Sequence, residues 1–105
     1  MKILFDQGTS TPLRHAFIGH TISTAYEMGW SELDNGDLLR VAEKEFDALI
    51  TTDKNLPYQQ NIKSRRLAIL VLPTTNWLKI QVYQEKIVIA AAALQPGDFL
   101  ELNFT

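Results

Sequence analysis

Apolar residues along the chain fall into short blocks whose spacing switches between that of strands and that of helices. Ile3-Leu4-Phe5 is an apolar run that stops at Asp6, as expected of a first strand. Gln7 to Pro12 reads as a turn, with Ser10 or Thr11 as cap and Pro12 at the first position of a helix from Leu13 to about Phe17, ending near Gly19. The β-branched stretch Thr21 to Thr24 predicts a second strand, and Ala25 to Asp34 an irregular loop. Leu38, Leu39, Val41, Ala42 and Phe46 have helical spacing behind a cap at Asp34 or Asn35. Phe46 to Thr51 predicts a third strand closing at Thr52-Asp53, followed by a turn and short helix from Asn55 to about Asn61. Leu67 to Leu72 is almost wholly apolar, the pattern of a strand buried on both faces, and Pro73 ends it. Trp77, Ile80, Tyr83, Ile87, Val88, Ala91 and Leu94 draw one apolar face along a single long helix, capped by Asn76 and stopped at Gln95-Pro96-Gly97. Phe99 to Phe104 alternates apolar and polar side chains, like an edge strand.

The resulting order, β-α-β-α-β-α-β-α-β, predicts a mainly parallel sheet of four to five strands covered by helices and joined by right-handed crossovers. A length of 105 residues predicts one domain over the whole chain. In such folds ligands sit outside the carboxyl ends of the strands. Strand-end residues are therefore the ones to weigh.

Composition narrows the classes. There is no cysteine, which removes disulfides and thiolate metal sites and fits a reducing cytoplasm. The chain starts directly on a strand instead of a signal-peptide apolar region, and its most apolar stretch, Ile87 to Leu94, is too short to span a bilayer. A cytoplasmic protein with no membrane partner is expected. The net charge of −2 is not that of a generally basic nucleic-acid binder. A nuclease whose acids are neutralised by metal ions remains compatible with it. Glycine-rich phosphate loops, a G-x-S-x-G elbow and zinc-ligand spacings are all missing.

Asp6 ends the first strand and Asp53 follows the third. If those strands are neighbours, both carboxylates project from one edge and repel unless a divalent cation lies between them. Oxygen ligands of this kind suit Mg²⁺ or Mn²⁺. Such an ion orients a phosphodiester, activates water and stabilises the leaving oxygen. Asp37, in the first turn of the following helix, is a candidate third ligand, although an acid there also favours the helix dipole. Thr51 and Thr52 flank the late acid, and their hydroxyls are candidates to orient a carboxylate or a metal-bound water, although β-propensity also explains them. Lys54, Lys63, Arg65 and Arg66 concentrate positive charge suited to phosphates, and Gln60 sits in an amide-rich stretch suited to single-stranded bases. His15 and His20 have no evident partner and read as structural or exposed.

Three stretches carry a family resemblance. They are Lys2-Ile3-Leu4-Phe5-Asp6-Gln7-Gly8-Thr9, the run from Thr24-Ala25-Tyr26-Glu27-Met28-Gly29-Trp30 to Asn35-Gly36-Asp37-Leu38-Leu39, and Thr51-Thr52-Asp53-Lys54-Asn55-Leu56 with Tyr58-Gln59-Gln60-Asn61. Over nearly its whole length the chain resembles the small bacterial PIN-like proteins, a domain-of-unknown-function group within the PIN nuclease superfamily. The resemblance implies a three-layer α/β/α sandwich and a divalent-metal endoribonuclease site built from acids, with Asp6 as its first acid and Asp53 as the acid after the third strand. It also implies a toxin paired with an antitoxin protein, and a homodimer. The chain departs from that pattern in carrying Gln7 and Gly8 after the first acid, Asn35 before the second helix and Asn55 in the late motif. These neutral residues ligate or hydrogen-bond but do not offset metal charge; Asp37 is placed to compensate for Asn35.

Two main readings follow. The first is a metal-dependent endoribonuclease using Asp6, Asp53 and Asp37. The second is a PIN-like module that grips RNA or a protein without cutting, motivated by Asn35, Asn55 and the amides around Gln60. A third, a receiver-like phosphoacceptor, needs an acidic pair after the first strand, where Gln7 and Gly8 stand.

Overall fold

Ile3, Leu4 and Phe5 are fully buried, so the first strand has no solvent face and must lie inside a sheet covered on both sides. The computed structural model, which describes residues 1–56 and 65–104, places it there. The elements are β1 (Lys2–Phe5), a 3-10 helix (Thr11–Ala16), β2 (Thr21–Thr24), α1 (Asn35–Glu45), β3 (Ala48–Thr51), β4 (Ala68–Val71), α2 (Trp77–Val82), α3 (Gln84–Ala92) and β5 (Phe99–Glu101). The five strands form one sheet in the order β2-β1-β3-β4-β5, and every pairing is parallel. The expected parallel α/β architecture is observed.

Alternate residues of each central strand feed two separate cores. Ile3, Phe5, Ala48, Ile50, Ala68 and Leu70 pack with Leu13 and Phe17 of the 3-10 segment and with Ile80, Ile87, Ala91 and Leu94. Leu4, Leu49, Ile69 and Val71 pack on the other face with Leu38, Leu39 and Ala42 of α1 and with Phe46. Burying each of the larger of these side chains (Leu, Ile, Val or Phe) contributes about 1.5–3 kcal/mol. This two-sided burial explains why β3 and β4 read as apolar runs without alternation.

Local chemistry sets the element ends. Asp34 caps α1, accepting the Asp37 N–H at 2.8 Å. Phe46 turns extended at its far end, so β3 begins at Ala48 rather than at Phe46. The first helix is a 3-10 helix, and the Ser10 hydroxyl does not cap it but donates to the Thr75 carbonyl at 3.3 Å. The predicted long C-terminal helix is two helices. Tyr83, at φ −105 and ψ 14, leaves helical geometry between them, and its ring stacks on Phe104 with centroids 4.5 Å apart. Hydrogen bonds from Tyr83 N–H to Lys79 O and from Ile87 N–H to Tyr83 O keep the segments in line. That is why Ile80, Ile87, Ala91 and Leu94 still share one face, as in an unbroken helix.

The two sheet edges differ. Along β2, Thr21 N–H bonds Met1 O and, just beyond the strand, Ala25 N–H bonds Phe5 O, so the intervening even-numbered residues turn their backbone groups outward. There Arg14 Nη2 donates to the Ile22 carbonyl at 2.9 Å, and Glu27 Oε1 accepts the Thr24 N–H at 2.9 Å. Arg14 and Glu27 also pair with each other through two contacts, at 2.9 and 3.1 Å. Among the described residues no helix is long and apolar enough to cross a membrane.

Candidate functional site

β1 lies between β2 and β3, so the chain leaves β1 in one direction and returns on its other side. This reversal opens a crevice at the carboxyl ends of β1 and β3, where α/β sheets bind ligands. The register pairs Phe5 with Ile50, which sets Asp6 alongside Thr51, with Asp53 two residues beyond. The two predicted acids therefore stand at the ends of adjacent strands.

A hydroxyl network connects them. Thr51, fully buried, donates through Oγ1 to Asp6 Oδ2, and the same oxygen accepts the Asp53 N–H at 3.0 Å. Thr9 Oγ1 lies 3.0 Å from Asp6 Oδ1 and 2.9 Å from the Ile50 carbonyl. Its single proton serves one of these at a time. Asp53 is held from the other side: Asn35 Nδ2 donates to Oδ2 at 3.0 Å, and the Asn55 N–H to Oδ1 at 2.9 Å. A Cβ on Gly8 would collide with Thr52 Oγ1, so glycine lets the loop after β1 close over the end of β3.

Burial pushes the Asp6 carboxyl above its ordinary range. The hydroxyls of Thr51 and Thr9 and the Gly8 N–H pull it back, while the negative charge of Asp53 pushes it further up. The two acids are thus close enough to repel.

The remaining expected residues divide. Asn35 and Asn55 both reach Asp53, as a role in orienting that acid requires. Thr52 packs on Gly8, and Lys54 is exposed in the turn after Asp53. Asp37 does not join the acid pair in a three-residue metal group. Its carboxylate is half-exposed and pairs with Arg40 at 3.2 Å, and no group of three or more His, Asp or Glu placed to hold a metal ion occurs among the described residues. Arg65 and Arg66 precede β4 and so lie at the amino ends of the strands, opposite Asp6. There they engage Glu43: Arg65 Nη1 meets Oε2 at 3.3 Å, and the Arg66 N–H donates to Oε1 at 2.8 Å. Tyr58, Gln59, Gln60, Asn61 and Lys63 lie outside the described residues. Thr51 takes the role expected of a hydroxyl flanking Asp53, whereas Thr9 is a site residue that the sequence offered no reason to single out, since turn preference accounts for it.

Two cavities mark the sheet edges. One of about 110 Å³ opens beside Asp6, with Gln7, Gly8, Trp30, Ser31, Leu33 and Asn35 among its walls. The other, of about 150 Å³, is at the opposite edge, beside Met1, Asp47, Arg66 and Pro96. Asp6 lines the smaller cavity, and Asn35 in its wall also donates to Asp53. In comparisons with protein-family models, curated proteins and solved structures, nothing matches this chain.

Proposed function

We propose that this chain is a PIN-like domain, with the three-layer α/β/α arrangement of that group, acting as a divalent-metal-dependent endoribonuclease at the edge formed by Asp6 and Asp53. One observation carries the reading: two carboxylates stand at the ends of adjacent parallel strands, near enough that the charge of Asp53 opposes the ionisation of Asp6. The donors available are all oxygen, a set that fits Mg²⁺ or Mn²⁺. Mg²⁺ is commonly held by one or two carboxylates, with waters and substrate phosphates completing its shell. Asp6 and Asp53 would hold the ion, and its chemistry there is to polarise a phosphoryl oxygen and acidify a water. Thr51, Thr9 and Asn35 fix the carboxylates, and the exposed Lys54 adds positive charge next to Asp53. A cytoplasmic toxin restrained by an antitoxin protein, and self-association of the domain, belong to the same proposal.

A second reading, an RNA- or protein-binding module without cleavage, is favoured by the pairing of Asp37 with Arg40 and by the amides that surround Asp53. Calorimetry with Mn²⁺ on purified protein, followed by incubation with mixed RNA, separates the two. The nuclease reading expects Mn²⁺ binding and RNA cutting, both lost in Asp6→Asn and in Asp53→Asn and little changed in Asp37→Asn. RNA that binds equally in chelator and stays intact with either metal supports the module instead.

A further inference from the structure

The cavity beside Asp6 has an unusual wall for a site that handles phosphate. Ala25, Trp30, Leu33 and Leu38 make one side apolar, while Gln7, Ser31 and Asn35 supply neutral amide and hydroxyl groups. Among the described residues no lysine or arginine lines it. A phosphate therefore finds no cation in this cleft and would face amides, a hydroxyl and the carboxylate of Asp6 beside the apolar side chains. What the lining accepts is an uncharged, flat group, apolar on its faces and hydrogen-bonding at its edge. The volume of about 110 Å³ is below the range of about 300–1,000 Å³ that encloses drug-sized ligands, and is suited to one ring system. Gln7 is exposed, and neither its amide nor the Ser31 hydroxyl has a hydrogen-bond partner among the described residues. Both are available to a ligand edge. Trp30 is held from behind by Phe46, edge to face with centroids 6.0 Å apart. Leu33 is over one-third exposed at the rim.

We infer that this cleft receives one unstacked nucleobase of a single-stranded RNA, with Trp30 and Leu33 against the base and Gln7 and Ser31 at its hydrogen-bonding edge. The inference rests on the proposed action on RNA and adds to it how the strand is gripped. Duplex RNA does not fit, because its stacked and paired bases cannot turn out into the cleft. Since Asp6 lines the cleft, the seated base brings its own backbone to the acid pair. Base and phosphate are then held by different chemistry at adjoining places.

The test is fluorescence anisotropy of a labelled single-stranded RNA hexamer, of the same hexamer with abasic sites, and of its duplex, all in chelator. Burying one base is expected to make the single strand bind about tenfold more tightly than the abasic strand. The duplex is expected to bind no better than the abasic strand. Leu33→Asp places a charge at the rim without touching the core, and Gln7→Leu removes the exposed amide. Each should erase most of the difference while leaving the unfolding midpoint nearly unchanged. Equal binding of base-bearing and abasic strands, or a difference that both variants preserve, overturns the inference. Chelator removes the metal, so this measurement stands apart from cleavage. A protein that cuts abasic and base-bearing strands alike with Mn²⁺ keeps the nuclease reading and loses this one. A protein that shows the base-dependent binding but never cuts does the reverse.

Discussion

Thr51 gives its hydroxyl proton to Asp6 and takes the amide proton of Asp53 on the same oxygen. One buried side chain thereby ties together two acids that repel. Thr51→Val keeps the shape but leaves a buried carboxylate and a backbone N–H each short of a partner. We expect a loss of about 1–3 kcal/mol in denaturant unfolding. Thr51→Ser, which restores the hydroxyl, should recover most of it. A valine variant as stable as the parent would mean the hydroxyl is idle.

Asp6 gives the fold a pH dependence of definite sign. Its folded pKa lies above the unfolded value of about 3.9. Between the two values the native state binds more proton than the unfolded state, so stability falls as pH rises. The penalty is absent below the unfolded value and complete above the folded one. Asp6→Asn carries no such penalty. Its stability relative to the parent should therefore climb from about pH 4 upward and then level off, as read by urea titrations across pH. A difference independent of pH would contradict the burial of this carboxyl.

Gly8 and Thr52 should be coupled. Gly8→Ala drives a methyl into Thr52 Oγ1 and should cost about 1–3 kcal/mol. Thr52→Ala removes the obstructing atom. The double variant should be more stable than the sum of the two single changes predicts, by an amount that a double-mutant cycle measures directly. Strict additivity would show that the loop after β1 has room to move.

Asp37, in contrast, should matter little to any cation held at the acid pair, because its carboxylate is committed to Arg40. Asp37→Asn is expected to leave Mn²⁺ affinity close to that of the parent, measured by calorimetry. A loss as large as that of Asp53→Asn would require α1 to shift toward the strand ends when the ion binds.

Much of the fold could be read from apolar runs, because two-sided burial leaves a strong signal in β1, β3 and β4. Asp6 and Asp53 were legible as strand-end acids, and the adjacency of β1 and β3 makes them neighbours. Their support was only partly legible: Thr51 was visible as a hydroxyl flanking Asp53, but only the register puts it, together with Thr9, on Asp6. Arg65 and Arg66 were read as one charge cluster with Lys54 and Lys63, but the direction of β4 puts these two arginines at the opposite ends of the strands from Asp6. The break at Tyr83 was hidden because two abutting helices keep the spacing of one.

The final consequence concerns the open side of β2. Arg14 and Glu27 occupy the Ile22 carbonyl and the Thr24 N–H, the groups an incoming strand would need. The Glu27 carboxyl is held below its ordinary range because the Arg14 guanidinium hydrogen-bonds it, ahead of the help from the Thr24 N–H. At the other end, Asp98 O and Leu102 N–H face β4, which turns the backbone of Phe99 and Glu101 outward. Strand addition at β2 would first have to displace the Arg14 and Glu27 side chains, and just beyond β5 Lys86 Nζ likewise donates to the Asn103 carbonyl.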